Sequence, residues 1–201
     1  MRRIKVAGID PSLTNTGIAL GYYDLDTGKF EVEAVHLICT ETETGKTVRR
    51  NSDDLRRCSI ITTALYELVS DVDVIFSEIP TGAQSARAAF AFGMVIGLMA
   101  GVVTSPDFKP AFIQVLPQQV KLAIPGGSKV TSKEEIIEWA GSSWPNAGWH
   151  IVKGRKFPDP GCGHGLGGAA EHPADACAAI NAGLLTDDFR NLLSLFKKLT
   201  R

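Results

Sequence analysis

Four residues in this chain have the types and settings for phosphoryl chemistry. Asp10 closes an apolar run from Ile4 to Ile9, and Glu78 closes a second from Val72 to Ser77. His172 and Asp175 stand at the head of a late apolar stretch. Carboxylates at such hand-over points can converge at one edge of a sheet and hold divalent cations over a phosphodiester. A two-metal site places its ions about 3.5–4 Å apart and clamps the attacking and leaving oxygens of an in-line displacement. Hard cations take carboxylate oxygens, and Asp10 is placed to bridge both ions. The i, i+3 spacing puts His172 and Asp175 on one helix face, at the end that favours anions. Each residue alone has a plainer role, as a turn aspartate or a helix cap. Together they read differently, because Glu78 follows the core-like Val74-Ile75-Phe76 and a bare carboxylate there is costly without a cation. A nitrogen ligand suits softer metals than Mg²⁺, so Mn²⁺ is expected to support activity at least as well.

The elements that must position these residues follow from apolar period and turn chemistry. Strands are expected at Ile4–Asp10, Gly17–Tyr23 and Phe30–Ile38, with a hairpin turn at Asp24–Gly28. Leu55, Ile60/Ile61, Leu65 and Leu68 give Asp53–Val69 a helical period, with Ser52 as N-cap. Val72–Ile79 reads as a buried strand stopped by Pro80, Gln84–Val103 as a helix, Ala111–Val115 as a strand and Pro117–Ala123 as a short helix with an early proline. Thr131 or Ser132 caps a helix to Trp139. Trp144–Ala170 is rich in Gly and Pro and reads as a functional or disordered loop. Pro173 opens a helix to about Leu184, and Asp187–Lys198 is amphipathic. Three hairpin strands followed by alternating helices and strands give one α/β domain over residues 1–201, with a mixed five-stranded sheet and helices on both faces.

The 201 residues suit one full-sized core. A net charge of −1 gives no overall basic signature, although DNA binding depends on local phosphate neutralisation. Basic clusters such as Arg56-Arg57 read singly as solvated surface. Cys39, Cys58, Cys162 and Cys177 form no C-x-x-C pair, so a reduced cytoplasmic protein is expected. The apolar stretch before Asp10 is too short for a signal peptide. Residues 88–106 carry no charge and reach spanning length. Their mid-chain place, their dilution by Ala and Gly and the closing Pro106 favour a buried helix over a membrane span. Gly93, Gly97 and Gly101 repeat at i, i+4, i+8; the stripe serves either close packing on the sheet or a seam between two copies.

Taken in order, these motifs resemble RuvC-type Holliday-junction resolvases of the ribonuclease H-like superfamily. Gly8-Ile-Asp-Pro-Ser-Leu-Thr-Asn-Thr-Gly17 is similar to their first strand and turn, and Ile75-Phe-Ser-Glu-Ile79 to their second acidic strand. Residues 86–101 resemble the long helix, Gln118-Gln-Val-Lys-Leu122 with Lys133 the lysine-bearing segment, and Glu171-His-Pro-Ala-Asp-Ala-Cys-Ala-Ala-Ile180 the final metal-binding helix. The resemblance runs from about Arg3 to Leu185. It implies that Asp10, Glu78, His172 and Asp175 bind two Mg²⁺ or Mn²⁺ ions, that hydrolysis leaves a 5′-phosphate, and that a homodimer cuts opposed strands of a four-way junction. Lys121 is then the residue to meet the scissile phosphate or its developing charge. Lys129 and Lys133, with Arg87, Lys153, Arg155 and Lys156, are the expected DNA contacts.

The chain departs from that pattern in two places. Some members carry an aromatic wedge after the second carboxylate, where this chain has Ile79-Pro-Thr-Gly82; Phe90 and Phe92 come later and read as core. The insert at 144–170 is also foreign to the pattern. Its Cys162 and His164 are two zinc-type ligands, too few for a site. Both features point to a bacteriophage version, with flaps and other branches as further substrates, working in a bacterial or phage-infected cell. The helicase partner of bacterial members has no visible docking signal. Two other classes compete: an inactive branched-DNA-binding protein on the same fold, and an actin-like ATPase or kinase. The last needs a second phosphate loop and a longer chain.

Overall fold

The computed structural model describes residues 2–79, 81–152, 155–157 and 171–199. Strands β1 (Arg3–Asp10), β2 (Asn15–Asp24) and β3 (Phe30–Cys39) come first, followed by helix α1 (Arg50–Val69). Strand β4 (Val74–Glu78), helix α2 (Ala86–Val103), strand β5 (Ala111–Val115) and helix α3 (Pro117–Ala123) follow. The chain continues through α4 (Lys133–Ser143), the short strands β6 (His150–Val152) and β7 (Arg155–Phe157), α5 (Glu171–Leu184) and α6 (Asp187–Leu199). The main sheet has the order β3-β2-β1-β4-β5. β1, β2 and β3 are antiparallel, while β4 runs parallel to β1 and to β5. The β2–β3 turn is held by Asp24, whose Oδ1 accepts from the Asp26 and Thr27 amides at 2.8 and 2.9 Å, an Asx turn.

Strand alternation divides the core in two. Ile4, Val6, Val74, Phe76, Ile113 and Val115 pack against the alanine-rich α5 and against Phe189. Ala7, Ile9, Ile18 and Ile75 face the other way, against Ile61, Leu65 and Val69 of α1 and Val95, Met99 and Val102 of α2. Helices thus lie on both faces of a mixed five-stranded sheet, as the pattern predicts.

Several local expectations are corrected. α1 begins at Arg50 with Arg49 as a cap lacking a side-chain hydrogen bond, so Ser52 does not cap it. Its buried stripe starts with Asp53, Asp54 and Arg57, whereas Leu55 is 69% exposed. Arg57 is thus interior, not solvated surface. Ser132 does cap α4, accepting from the Glu135 amide while the Glu135 carboxylate accepts from the Ser132 amide. α5 starts at Glu171, ahead of Pro173; proline is tolerated in a first helical turn. The opening of the 144–170 segment belongs to the core. Trp144, Ala147 and Trp149 are buried, the Trp149 indole donates to the Trp144 carbonyl, and the Ala147 carbonyl accepts from Val35. β6 and β7 then pair antiparallel. Cys39 is disulfide-bonded, while Cys58 and Cys177 are free. Spacing along the chain cannot show which thiols a fold brings together.

The largest correction concerns α2. It is long and apolar enough to cross a membrane by length and composition, and 17% of it is buried. Only Val95, Met99 and Val102 are enclosed; Phe90 is 53% exposed and Phe92 half-buried. A Cβ at Gly93, Gly97 or Gly101 would meet nothing within 4 Å, which removes close packing on the sheet as the reason for the stripe. An apolar pattern marks a face that leaves water without saying what covers it.

Candidate active site

The parallel pairing of β1 with β4 ends at Ile9 opposite Ser77. Asp10 and Glu78 are therefore the next residues on two adjacent strands, both at carboxyl ends, where open α/β sheets bind ligands. Glu78 also pairs with Val115 of β5. By alternation Asp10 shares a face with Ile4, Val6 and Gly8, and Glu78 with Val74 and Phe76. That face is the one α5 covers.

Two glycines let α5 sit on the strand backbone. A Cβ on Gly8 would lie 1.9 Å from the Ala176 carbonyl oxygen, and one on Gly17 would lie 2.1 Å from the His172 carbonyl carbon. Gly17 is the cross-strand partner of Asp10, so the space it leaves places the head of α5 beside that carboxylate. His172 Nδ1 stands 2.5 Å from Asp10 Oδ2 as a result. The first, second and last of the five motifs thus come to one edge of the sheet, although residues 10 and 172 are far apart in the chain.

The electrostatics are those of crowded acids. Burial first, and then the charge of Asp10, raise Glu78 to about 7, against the opposing pull of Lys121 and His172. Burial, then Asp10 and Glu78, raise Asp175 to about 8. For His172 burial works against the imidazolium, but the hydrogen bond to Asp10 and the carboxylates of Asp10, Glu171 and Asp175 outweigh it and raise the pKa. Neither Glu78 nor Asp175 has a hydrogen-bond donor for its carboxyl among the described residues. Partly enclosed carboxyls that keep protons near neutrality are groups that a cation displaces protons from. The donor set, three carboxylates and one imidazole, fits Mg²⁺ or Mn²⁺. Among the described residues, no three His, Cys, Asp or Glu side chains are drawn together into a preformed cage.

The predicted basic residues fall into groups. Lys121, on α3, is half-buried and acts on Glu78. Lys133 Nζ lies 2.7 Å from Glu171 Oε1, and Asp175 and Asp10 also act on it. Lys129 is exposed in the loop between α3 and α4. Arg87 is committed elsewhere, forming a two-pronged pair with Asp54 at 2.9 and 2.7 Å and standing over the Phe90 ring. Arg155 and Lys156 lie on β7, and Lys153 lies outside the described residues, as do Cys162 and His164. Glu171 carries no role in the sequence reading; its position next to His172 was the available signal.

Sheet order, parallel β1–β4 pairing and an α5 laid on one face of the sheet define a ribonuclease H-like fold. The solved structures most like it include RuvC from Thermus thermophilus in complex with Holliday junction substrate (TM-score 0.57, 19% identity, 89% of this chain and 92% of that chain covered). The same enzyme's structure described without the junction gives a TM-score of 0.59 over the same shares. The yeast mitochondrial Holliday junction resolvase Ydc2 gives 0.58 at 15% identity, covering 95% of this chain and 83% of that one. No protein-family model matches the sequence, and no curated protein matches it.

Proposed function

We propose that this protein is a structure-selective, metal-dependent endonuclease that cuts Holliday junctions and other branched DNA as a homodimer. The observation that carries the proposal is the meeting of Asp10, Glu78, His172 and Asp175 at one sheet edge, with Lys121 and Lys133 beside them. The likeness in fold to a resolvase solved with Holliday junction substrate points the same way. Asp10, Glu78, His172 and Asp175 would hold two Mg²⁺ or Mn²⁺ ions. When bound, such ions supply an activated water and charge for the leaving oxygen. Lys121 faces the developing charge on the phosphate, and Lys133 and Lys129 hold the backbone, so binding weakens steeply with salt. The open apolar face of α2 is the proposed seam of the homodimer. The expected setting is the cytoplasm of a bacterial or phage-infected cell.

End-labelled four-way junction, flap and linear duplex, each with Mg²⁺, Mn²⁺ or chelator, test the proposal beside Asp10→Asn. Paired symmetric nicks in the junction, lost in chelator and reduced at least 10³-fold by Asp10→Asn, are expected. Cutting of flaps at similar rates widens the substrate class to general debranching. Binding without cutting in every metal removes the catalytic claim and leaves a junction-binding protein. Mn²⁺ should match or exceed Mg²⁺ at saturation because of the His172 nitrogen; a clear preference for Mg²⁺ would count against His172 as a ligand.

A further inference from the structure

Asp10 is followed at once by the turn Pro11–Thr14, and that turn is held by an arginine from the other side of the sheet. Arg57 is 3% exposed, at the head of the stripe that continues with Ile61, Leu65 and Val69. Its guanidinium donates through Nη2 to the Leu13 carbonyl at 3.1 Å and to Thr14 Oγ1 at 2.9 Å. Through Nε it donates to Thr40 Oγ1 at 2.9 Å, and through Nη1 to Thr42 Oγ1 at 3.3 Å. The Thr40 hydroxyl in turn donates to the Leu13 carbonyl, and the Thr40 amide to the Thr14 carbonyl. Inside the turn, Thr16 Oγ1 donates to the Ser12 carbonyl at 2.6 Å and accepts from the Ser12 amide.

The charge is balanced only at a remove. Asp54 Oδ1 lies 3.8 Å from Arg57 Nη1, beyond hydrogen-bond reach, because the same carboxylate is taken two-pronged by Arg87. A buried arginine at the head of the apolar Ile61, Leu65 and Val69 is a poor way to gain stability, since well-packed hydrophobic side chains of similar volume commonly do as well or better. A planar fork reaching four acceptors is, however, a good way to fix a turn.

We infer that Arg57 is a positioning residue for the active site: it fixes the turn that follows Asp10 and so the direction of the Asp10 carboxylate. The inference rests on the metal-dependent nuclease reading above. Arg57 acts through Leu13 and Thr14 and touches neither substrate nor metal. Arg57→Lys keeps the charge and loses the fork; Arg57→Met keeps the volume and loses both.

The test uses the full chain, four-way junction and Mn²⁺. Both variants should lower kcat at least tenfold with KM within twofold, and raise the Mn²⁺ binding midpoint at least threefold. Amide exchange over residues 11–16 should quicken, even where the melting temperature of Arg57→Met equals that of the natural protein. A residue that only stabilises the fold moves melting and leaves kcat and the Mn²⁺ midpoint of the folded fraction unchanged, and that result overturns the inference. Thr14→Val removes a single acceptor and should shift kcat and the Mn²⁺ midpoint in the same direction by a smaller factor, so it decides the matter if the Arg57 variants do not fold. Natural protein that cuts while all three variants match it overturns this inference alone. Natural protein that binds no Mn²⁺ overturns both this and the nuclease reading.

Discussion

On one face of the sheet α5 lies so close to β1 and β2 that a single methyl group at Gly8 or Gly17 would collide with helix backbone. On the other face α2 leaves Phe90 and Ile96 exposed, and its three glycines open onto nothing. The same residue type thus does opposite things. On the α5 face glycine brings two backbones into contact and sets His172 beside Asp10. On the α2 face it leaves a smooth surface uncovered within this chain. Dense packing transmits small displacements, so the closed face suits groups that must be held to a fraction of an ångström, and the open one suits a contact yet to be made. The largest effect should come from breaking the closed face. Gly17→Val should cost about 3 kcal/mol or more through overpacking. Whatever folds should cut junctions at least 10²-fold more slowly, because His172 and Asp175 move away from Asp10 and Glu78. Denaturant unfolding and single-turnover cleavage read the two quantities; a folded variant with natural activity would show that α5 placement does not set the site.

The closed face also carries the pH response. Glu78 and Asp175 ionise near 7 and 8 in the fold, against ordinary values of 4.5 and 3.8. Between about pH 4.5 and 8 the folded chain therefore holds more protons than the unfolded one, and stability falls as pH rises. The raised His172 pKa acts in the same sense: its contribution is present below the ordinary 6.5 and is lost as pH rises through the higher folded value. In chelator the loss from pH 5 to 8 should amount to several kcal/mol, and Mn²⁺ at pH 8 should restore it. Thermal melting of the natural chain beside Glu78→Gln/Asp175→Asn measures the slope. Equal slopes would mean that these carboxyls do not carry it.

Sequence reading reached the closed face and missed the open one for a physical reason. Asp10, Glu78, His172 and Asp175 each end or begin an element, so their convergence follows once the strand order is known. The unbroken apolar runs Val6-Ala7-Gly8-Ile9 and Val74-Ile75-Phe76 mark central strands buried on both faces. Burial of α2 was misread because hydrophobicity reports what a side chain avoids, and the avoided water can be excluded by another molecule. Arg57 was misread because charge suggests surface, although its i, i+4, i+8 phase with Ile61 and Leu65 pointed inward. Trp144 and Trp149 were lost in a Gly- and Pro-rich stretch whose composition hid two core anchors.

The smallest effect belongs to the open face and sharpens the contrast most. Gly97→Ala places a methyl group where nothing lies within 4 Å, so the single chain suffers no collision. Alanine also has the higher helix propensity, and the substitution should raise monomer stability by about 0.5–1 kcal/mol. If two copies meet along the Gly93–Gly97–Gly101 stripe, that methyl group stands in the closest part of the seam. Dimer dissociation should then rise at least tenfold while the metal site within each chain is untouched. Sedimentation across a concentration series, with melting measured under dilute conditions, separates the two terms. A stabilised chain with weakened self-association places the seam on α2. A stabilised chain whose self-association is unchanged moves the seam off the stripe, and leaves Phe90 and Ile96 to be covered by something other than a second copy.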